Sequence, residues 1–235
     1  MNLKKKIFKL YNLGFKKYGK NFQRLYPNEE FCRFLGRNYF NIKKSKRKKL
    51  KMLEVGVGNG ANLSVVSSQG FRAYGIDLSS KSIEICKKVF KDKKLNGNFK
   101  IGDMTALPFK TKTFDCVIDV FSSCLLSKKD GEIFLQEVSR ILKPGGKFFS
   151  YFPSKKSKMF KSKKKKLYDS DTIIKLNEKK AIYTINNSPM RFLEKKQYVK
   201  MLKKNKLKSY YSEELMKTYF NGKDYFYFLI MEAIK

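Results

Sequence analysis

The chain has 235 residues with 42% hydrophobic and 15% aromatic content, enough for one sizeable α/β domain with a modest addition. Its formal charge of +34 points first to nucleic acid or an anionic membrane, yet only seven of the 54 basic residues are Arg. Phosphate-gripping surfaces draw on the planar fork of Arg, so a chain rich in Lys, Asn, Ile, Phe and Tyr, with no Trp and no His, reads as compositional drift.

Cys32, Cys86, Cys116 and Cys124 form no CxxC pair, and no His is present to complete a zinc site. No metal is expected, and the thiols read as those of a reduced, cytoplasmic protein. Lys9 interrupts the one apolar run near the N-terminus, which excludes a signal-peptide core. No stretch approaches the roughly 18 apolar residues of a membrane span.

The first 48 residues read as a helical cap, with helices over about 3–18 and 27–40. Ile7, Phe8, Leu10, Tyr11 and Phe15 fall on one face of the first helix. That face is expected to pack on the domain, although a basic amphipathic helix can also lie on an anionic membrane. From residue 51, strands at 52–55, 72–76, 99–101, 116–120 and 147–152 alternate with helices at about 60–68, 81–90 and 130–142. Such alternation predicts a mainly parallel sheet covered on both faces. Residues 153–166 are Lys-dense and read as a mobile loop, followed by a hairpin of Ile173–Leu176 and Ala181–Ile185. A helix over 194–204 and strands over 207–211 and 225–233 complete the chain.

The most informative segment is Leu53-Glu54-Val55-Gly56-Val57-Gly58-Asn59-Gly60, a buried strand running into glycines at alternate positions before a helix. Glycines there allow a tight turn and a close approach of ligand to backbone. The helix N-terminus behind them offers unpaired N–H groups. Asp77 ends the second strand, 21 residues past Gly56, where an acid can accept both hydroxyls of a ribose. Gly56, Gly58 and Ala61 equally satisfy the G-x-G-x-x-G/A pattern of dinucleotide binding, so to this point a nicotinamide cofactor remains open.

Gly102-Asp103-Met104-Thr105-Ala106-Leu107-Pro108-Phe109 adds an acid after the third strand. Thr113-Phe114-Asp115-Cys116-Val117-Ile118-Asp119 opens the fourth, and Leu142-Lys143-Pro144-Gly145-Gly146-Lys147-Phe148 leads into the fifth. With Glu54, this series resembles the class I S-adenosylmethionine-dependent methyltransferases, in particular their small-molecule, methyltransferase type 11-like branch. The resemblance covers roughly residues 50–150, and Tyr26–Leu35 also looks like an N-terminal helix of some bacterial members.

The resemblance implies a Rossmann-like α/β/α fold with a mostly parallel seven-stranded sheet whose last strand is antiparallel. It implies S-adenosyl-L-methionine as cofactor, held in a domain over 49–235, with 153–192 as a lid or substrate insertion that closes the site together with the N-terminal helices. Gly56, Val57, Gly58 and Gly60 are expected to pass beneath its methionine and ribose portions, with Glu54 below them. Asp77 is expected on the ribose, Leu78 on the adenine face, Asp103 on the adenine amine, Met104 beside it, and Val120 and Phe121 near the transferred methyl. Many relatives carry a histidine after the fourth strand, and this chain has none, so Asp119, Tyr18, Tyr26 and Tyr151 are the candidate proton acceptors.

The expected reaction is in-line methyl transfer to a small molecule, with a sugar, lipid or metabolite hydroxyl favoured. The Lys-dense loop would attract an anionic acceptor. An RNA or protein methyltransferase using the basic surface is the alternative, and a non-catalytic or nicotinamide-binding Rossmann domain is the lesser one.

Overall fold

Apolar strands flanked by amphipathic helices have to be covered on both sides, and the elements form in that sequence. In the computed structural model, residues 3–176 and 189–235 are described. The cap comprises α1 (Leu3–Tyr18), a 3-10 turn (Gly19–Phe22), α2 (Glu29–Tyr39) and α3 (Lys44–Arg47). The alternating core follows as β1 (Lys51–Val55), α4 (Ala61–Ser68), β2 (Arg72–Asp77), α5 (Ser80–Asp92), β3 (Asn98–Ile101), β4 (Phe114–Val120), α6 (Lys128–Ile141) and β5 (Leu142–Pro153). Then come α7 (Lys158–Lys161), β6 (Lys165–Leu167), β7 (Thr172–Leu176), β8 (Met190–Arg191), α8 (Lys195–Lys204), β9 (Lys208–Tyr219) and β10 (Asp224–Ile234).

Local chemistry explains several of these boundaries. The Asn28, Ser79 and Ser127 side chains accept hydrogen bonds from the backbone N–H of Phe31, Ser82 and Asp130, closing the first turns of α2, α5 and α6. Glu29 and Glu30 add negative charge at the positive end of α2.

The main sheet has the order β3-β2-β1-β4-β5-β10-β9. Its first five strands run parallel, and β10 lies antiparallel to both β5 and β9. Alternate strand residues feed two cores, as the pleat requires. Met52, Cys116, Ile118 and Phe149 pack with Phe31 and Phe34 of α2, Leu63 and Val66 of α4, and Ile83, Cys86 and Phe90 of α5. Leu53, Val55, Val117 and Phe148 pack with Phe134, Leu135 and Val138 of α6 and Tyr198 and Leu202 of α8. Glu232 of β10, fully buried, accepts from Arg37 and Asn38 and ties α2 to the far half of the sheet.

A second, three-stranded sheet has the order β6-β7-β8. The Lys-dense stretch therefore carries α7, held by buried Met159, and β6. Leu176 ends β7, which pairs with β6 and β8; the expected partner arm at 181–185 lies outside the described residues. The expected strands at 207–211 and 225–233 are both longer, because β9 and β10 pair along almost their whole length.

Candidate active site

Three of the glycines after β1 adopt left-handed backbone, with φ of +65° at Gly56, +57° at Gly58 and +83° at Gly60. Other residues reach this region only with strain. Gly60 is the residue before α4, and a Cβ there would collide with Cys86 and Phe90, so its role is to seat α4 on α5. A Cβ on Gly56 would lie 2.4 Å from Ser122 Cβ, and one on Gly58 would strike the Gln23 side chain. The loop thus turns under a cavity of about 470 Å³, within the range of small-molecule sites.

That cavity lies at the carboxyl ends of β1, β2, β3 and β4. Glu54, Gly56, Val57, Asp77, Leu78, Asp103, Met104, Val120 and Phe121 all line it. Gly58 and Gly60 do not, although the Gly58 N–H donates to Asp77 Oδ2 at 3.0 Å and so positions that carboxylate. The Ser79 N–H donates to Asp77 Oδ1 at 2.9 Å. Burial raises the Asp77 carboxyl above its ordinary value, against these opposing hydrogen bonds.

Glu54 is buried under the loop. Its Oε1 accepts from Asn62 Nδ2 at 2.5 Å, whereas Oε2 has no partner among the described residues. Burial pushes its carboxyl up to about 8, with Asn62 and Arg24 acting in the other direction. A buried oxygen without a donor on a cavity wall suits a cationic amino group, and an acid fixed by the glycine loop suits a ribose. On these two observations the residues fit the cofactor that the sequence implies.

The raised Glu54 carboxyl has a consequence for stability. A carboxyl whose folded value lies above its unfolded one stabilises the fold below about 4.5 and loses that contribution as pH rises toward about 8. Asp77 acts in the same sense. The melting temperature of the ligand-free protein is expected to fall over this window, and Glu54→Gln to flatten the decline. An unchanged slope in the variant, followed by differential scanning fluorimetry across pH, removes the assignment.

Asp103 lines the cavity beside Met104, but its carboxylate is already engaged. Lys4 Nζ donates to Oδ2 at 2.7 Å, and the Thr105 N–H and hydroxyl donate to Oδ1, each at 2.8 Å. Burial would raise this carboxyl, yet Lys4 and Thr105 outweigh it and hold it below the usual range.

The structure separates the candidate proton acceptors. Asp119 is wholly buried beneath the floor and accepts from the Ser122 and Ser123 backbones and from the hydroxyls of Ser122, Ser123 and Ser150. It does not line the cavity. Tyr18 stacks on Phe22 at the end of α1, and Tyr26 is 81% exposed; neither reaches the cavity. Tyr151 does line it.

The N-terminal helices, expected to form part of the lid, supply the roof. Lys4, Ile7, Phe8 and Tyr11 of α1, with Gln23 and Arg24, close the cavity opposite the strand ends. Asn59 Nδ2 donates to the carbonyls of Lys20 and Arg24, at 3.0 and 2.9 Å, pinning this segment over the glycine loop. The apolar spacing of α1 marks a packed face, but Lys4, Gln23 and Arg24 are outside that pattern and only the tertiary structure brings them to the cavity. None of the described residues of 153–192, expected as the lid, lines it.

Comparison with known proteins agrees with this arrangement. Residues 53–150 match the family model described as "Methyltransferase domain". The chain is 41% identical over 101 residues to the fatty-acid O-methyltransferase of Mycolicibacterium smegmatis, covering 42% of this chain and 35% of that protein. It is 35% identical over 98 residues to a demethylmenaquinone methyltransferase of Tropheryma whipplei, covering 41% and 39% respectively. The match thus spans less than half the length of these curated relatives. Among solved structures, an S-adenosylmethionine-dependent methyltransferase of Methanosarcina mazei superposes with a TM-score of 0.67 at 18% identity, over 79% of this chain and 92% of that one. A protein of Pyrococcus horikoshii OT3 superposes with a TM-score of 0.64 at 21% identity, over 97% and 99%. These two show a shared fold.

Proposed function

We propose that this chain, whose residues 53–150 match the methyltransferase-domain model, is an S-adenosylmethionine-dependent methyltransferase that transfers a methyl group, by in-line displacement, to an oxygen of a lipophilic small molecule. One observation carries the choice of acceptor. Beyond the acidic cofactor side, the cavity wall is apolar, with Ile7, Phe8, Phe121, Leu125, Leu126 and Tyr151. Both the fatty-acid O-methyltransferase and the demethylmenaquinone methyltransferase among the relatives are named for lipophilic acceptors, and the first for transfer to oxygen.

The cofactor supplies a methyl group already activated on a sulfonium. What remains for the chain is alignment and exclusion of water. Glu54 and Asp77 anchor the amino and ribose ends, and the left-handed glycine loop gives the backbone room to approach. Phe121, itself at a left-handed φ of +59° at the end of β4, holds its ring against the β10 aromatics Phe226 and Phe228 and walls off the acceptor side. Tyr11 lines the cavity, and burial raises its hydroxyl above its ordinary value, which disfavours it as a proton acceptor.

Titration calorimetry tests this reading. S-adenosylhomocysteine is expected to bind in the micromolar range and NAD not at all. Asp77→Ala is expected to weaken S-adenosylhomocysteine by about 1–3 kcal/mol, the usual cost of losing charged hydrogen bonds. The reverse ligand preference, or unchanged affinity in the variant, overturns the site. With cofactor bound, long-chain carboxylic acids and prenylated phenols should be methylated faster than sugar phosphates.

A further inference from the structure

Helix α1 has two faces. The inner one buries Leu3 and Phe15 and carries the cavity roof. The outer one presents Lys6, Lys9, Leu10, Leu13 and Lys17 at spacings of i, i+3, i+4, i+7 and i+11, with Lys16 beside them, all exposed. These positions form one continuous stripe on a helix. Leu13 is 54% exposed, and Leu10 lies between Lys6 and Lys17 in that stripe.

The charge pattern is unfavourable for the helix taken alone. Lysines occupy its first turn, and the helix has no acidic residue. Cations at the positive end of a helix oppose the backbone dipole. Lys4 is offset by Asp103, while Lys6 and Lys9 point their charge outward. An external anionic surface would relieve that repulsion, and lysine stems can lie along the apolar material that the leucines enter.

We infer that the outer face of α1 docks on an anionic phospholipid bilayer. The lysines meet the headgroups, and Leu10 and Leu13 enter the boundary beneath them. Two observations favour lipid over nucleic acid. The stripe holds no Arg, whose fork suits phosphodiesters, and its exposed leucines would gain nothing on a phosphate backbone. Phe8, 42% exposed, lies on the opposite, cavity-lining side of the helix and takes no part in this stripe. Docking does not depend on the proposed function.

Co-sedimentation of the full chain with vesicles tests the inference. Phosphatidylcholine vesicles containing about 30 mol% phosphatidylglycerol are expected to capture the protein, phosphatidylcholine alone is not, and added salt should weaken capture. Leu10→Gln combined with Leu13→Gln should weaken it by about tenfold or more, from the lost apolar burial. Lys9→Glu with Lys16→Glu should abolish it. Each variant is to be titrated with S-adenosylhomocysteine, and retained affinity shows an intact fold. Equal capture of wild type and both variants overturns the docking surface. So does absence of capture at low salt, or displacement from vesicles by RNA with a steep salt dependence. Vesicle capture without S-adenosylhomocysteine binding would instead sink the proposed function and leave docking standing.

Discussion

Gly56→Val is expected to weaken S-adenosylhomocysteine binding by more than about a hundredfold, because it strikes geometry that no neighbour can relieve. The backbone there is left-handed, which costs a β-branched residue about 1–3 kcal/mol in strain. The new Cβ would fall 2.4 Å from Ser122 Cβ. Ser122 has little freedom to retreat, since its hydroxyl lies 2.7 Å from the Val55 carbonyl and 2.8 Å from Asp119 Oδ1. Relief has to come from shifting the loop into the cavity, where the ligand belongs. Calorimetry reads the binding, and circular dichroism on the same sample checks that the domain is folded. Wild-type affinity in a folded Gly56→Val protein removes the cradle from the site.

Asp119→Ala is expected to destabilise the fold by about 3–5 kcal/mol, since the buried donors it strands cost about 1–3 kcal/mol each. For a chain of this size that is a drop of roughly 10 °C in melting temperature. The carboxylate is the hub of a network that includes the Ser123 and Ser150 hydroxyls, and Ser150 in turn accepts from the Tyr198 hydroxyl at 2.8 Å. One residue thus joins β4, β5 and α8 beneath the cavity floor. Cofactor affinity measured well below the melting transition should change little. Lost methyl transfer with an unchanged melting temperature would return Asp119 to the reaction itself.

The order of the elements was legible because it follows from local pattern. Apolar runs punctuated by glycine and by Asn or Ser caps define strands and helices without reference to distant residues. The cavity wall at the strand ends was legible for the same reason, since Glu54, Asp77, Asp103 and Phe121, which line it, follow from their places there. Asp119 marks where that logic stops. Its position at the end of β4 is a matter of sequence, but its partner Ser150 lies 31 residues away, and only the folded sheet shows the carboxylate saturated. Lys4 on Asp103 is a contact across 99 residues and was equally invisible. Tyr18 and Tyr26 share the cap with Tyr11, yet tertiary packing alone decides that Tyr11 faces inward.

The strand order carries one more consequence, for biosynthesis. β9 is made before β10 but pairs with the sheet only through it. Until Asp224–Ile234 has left the ribosome, β5 presents an apolar edge with no neighbour, the kind of surface that recruits other nascent chains. Emergence of residues 224–234 is therefore the step that closes the sheet, and a stall before it leaves both β5 and β9 open to chaperones or to aggregation.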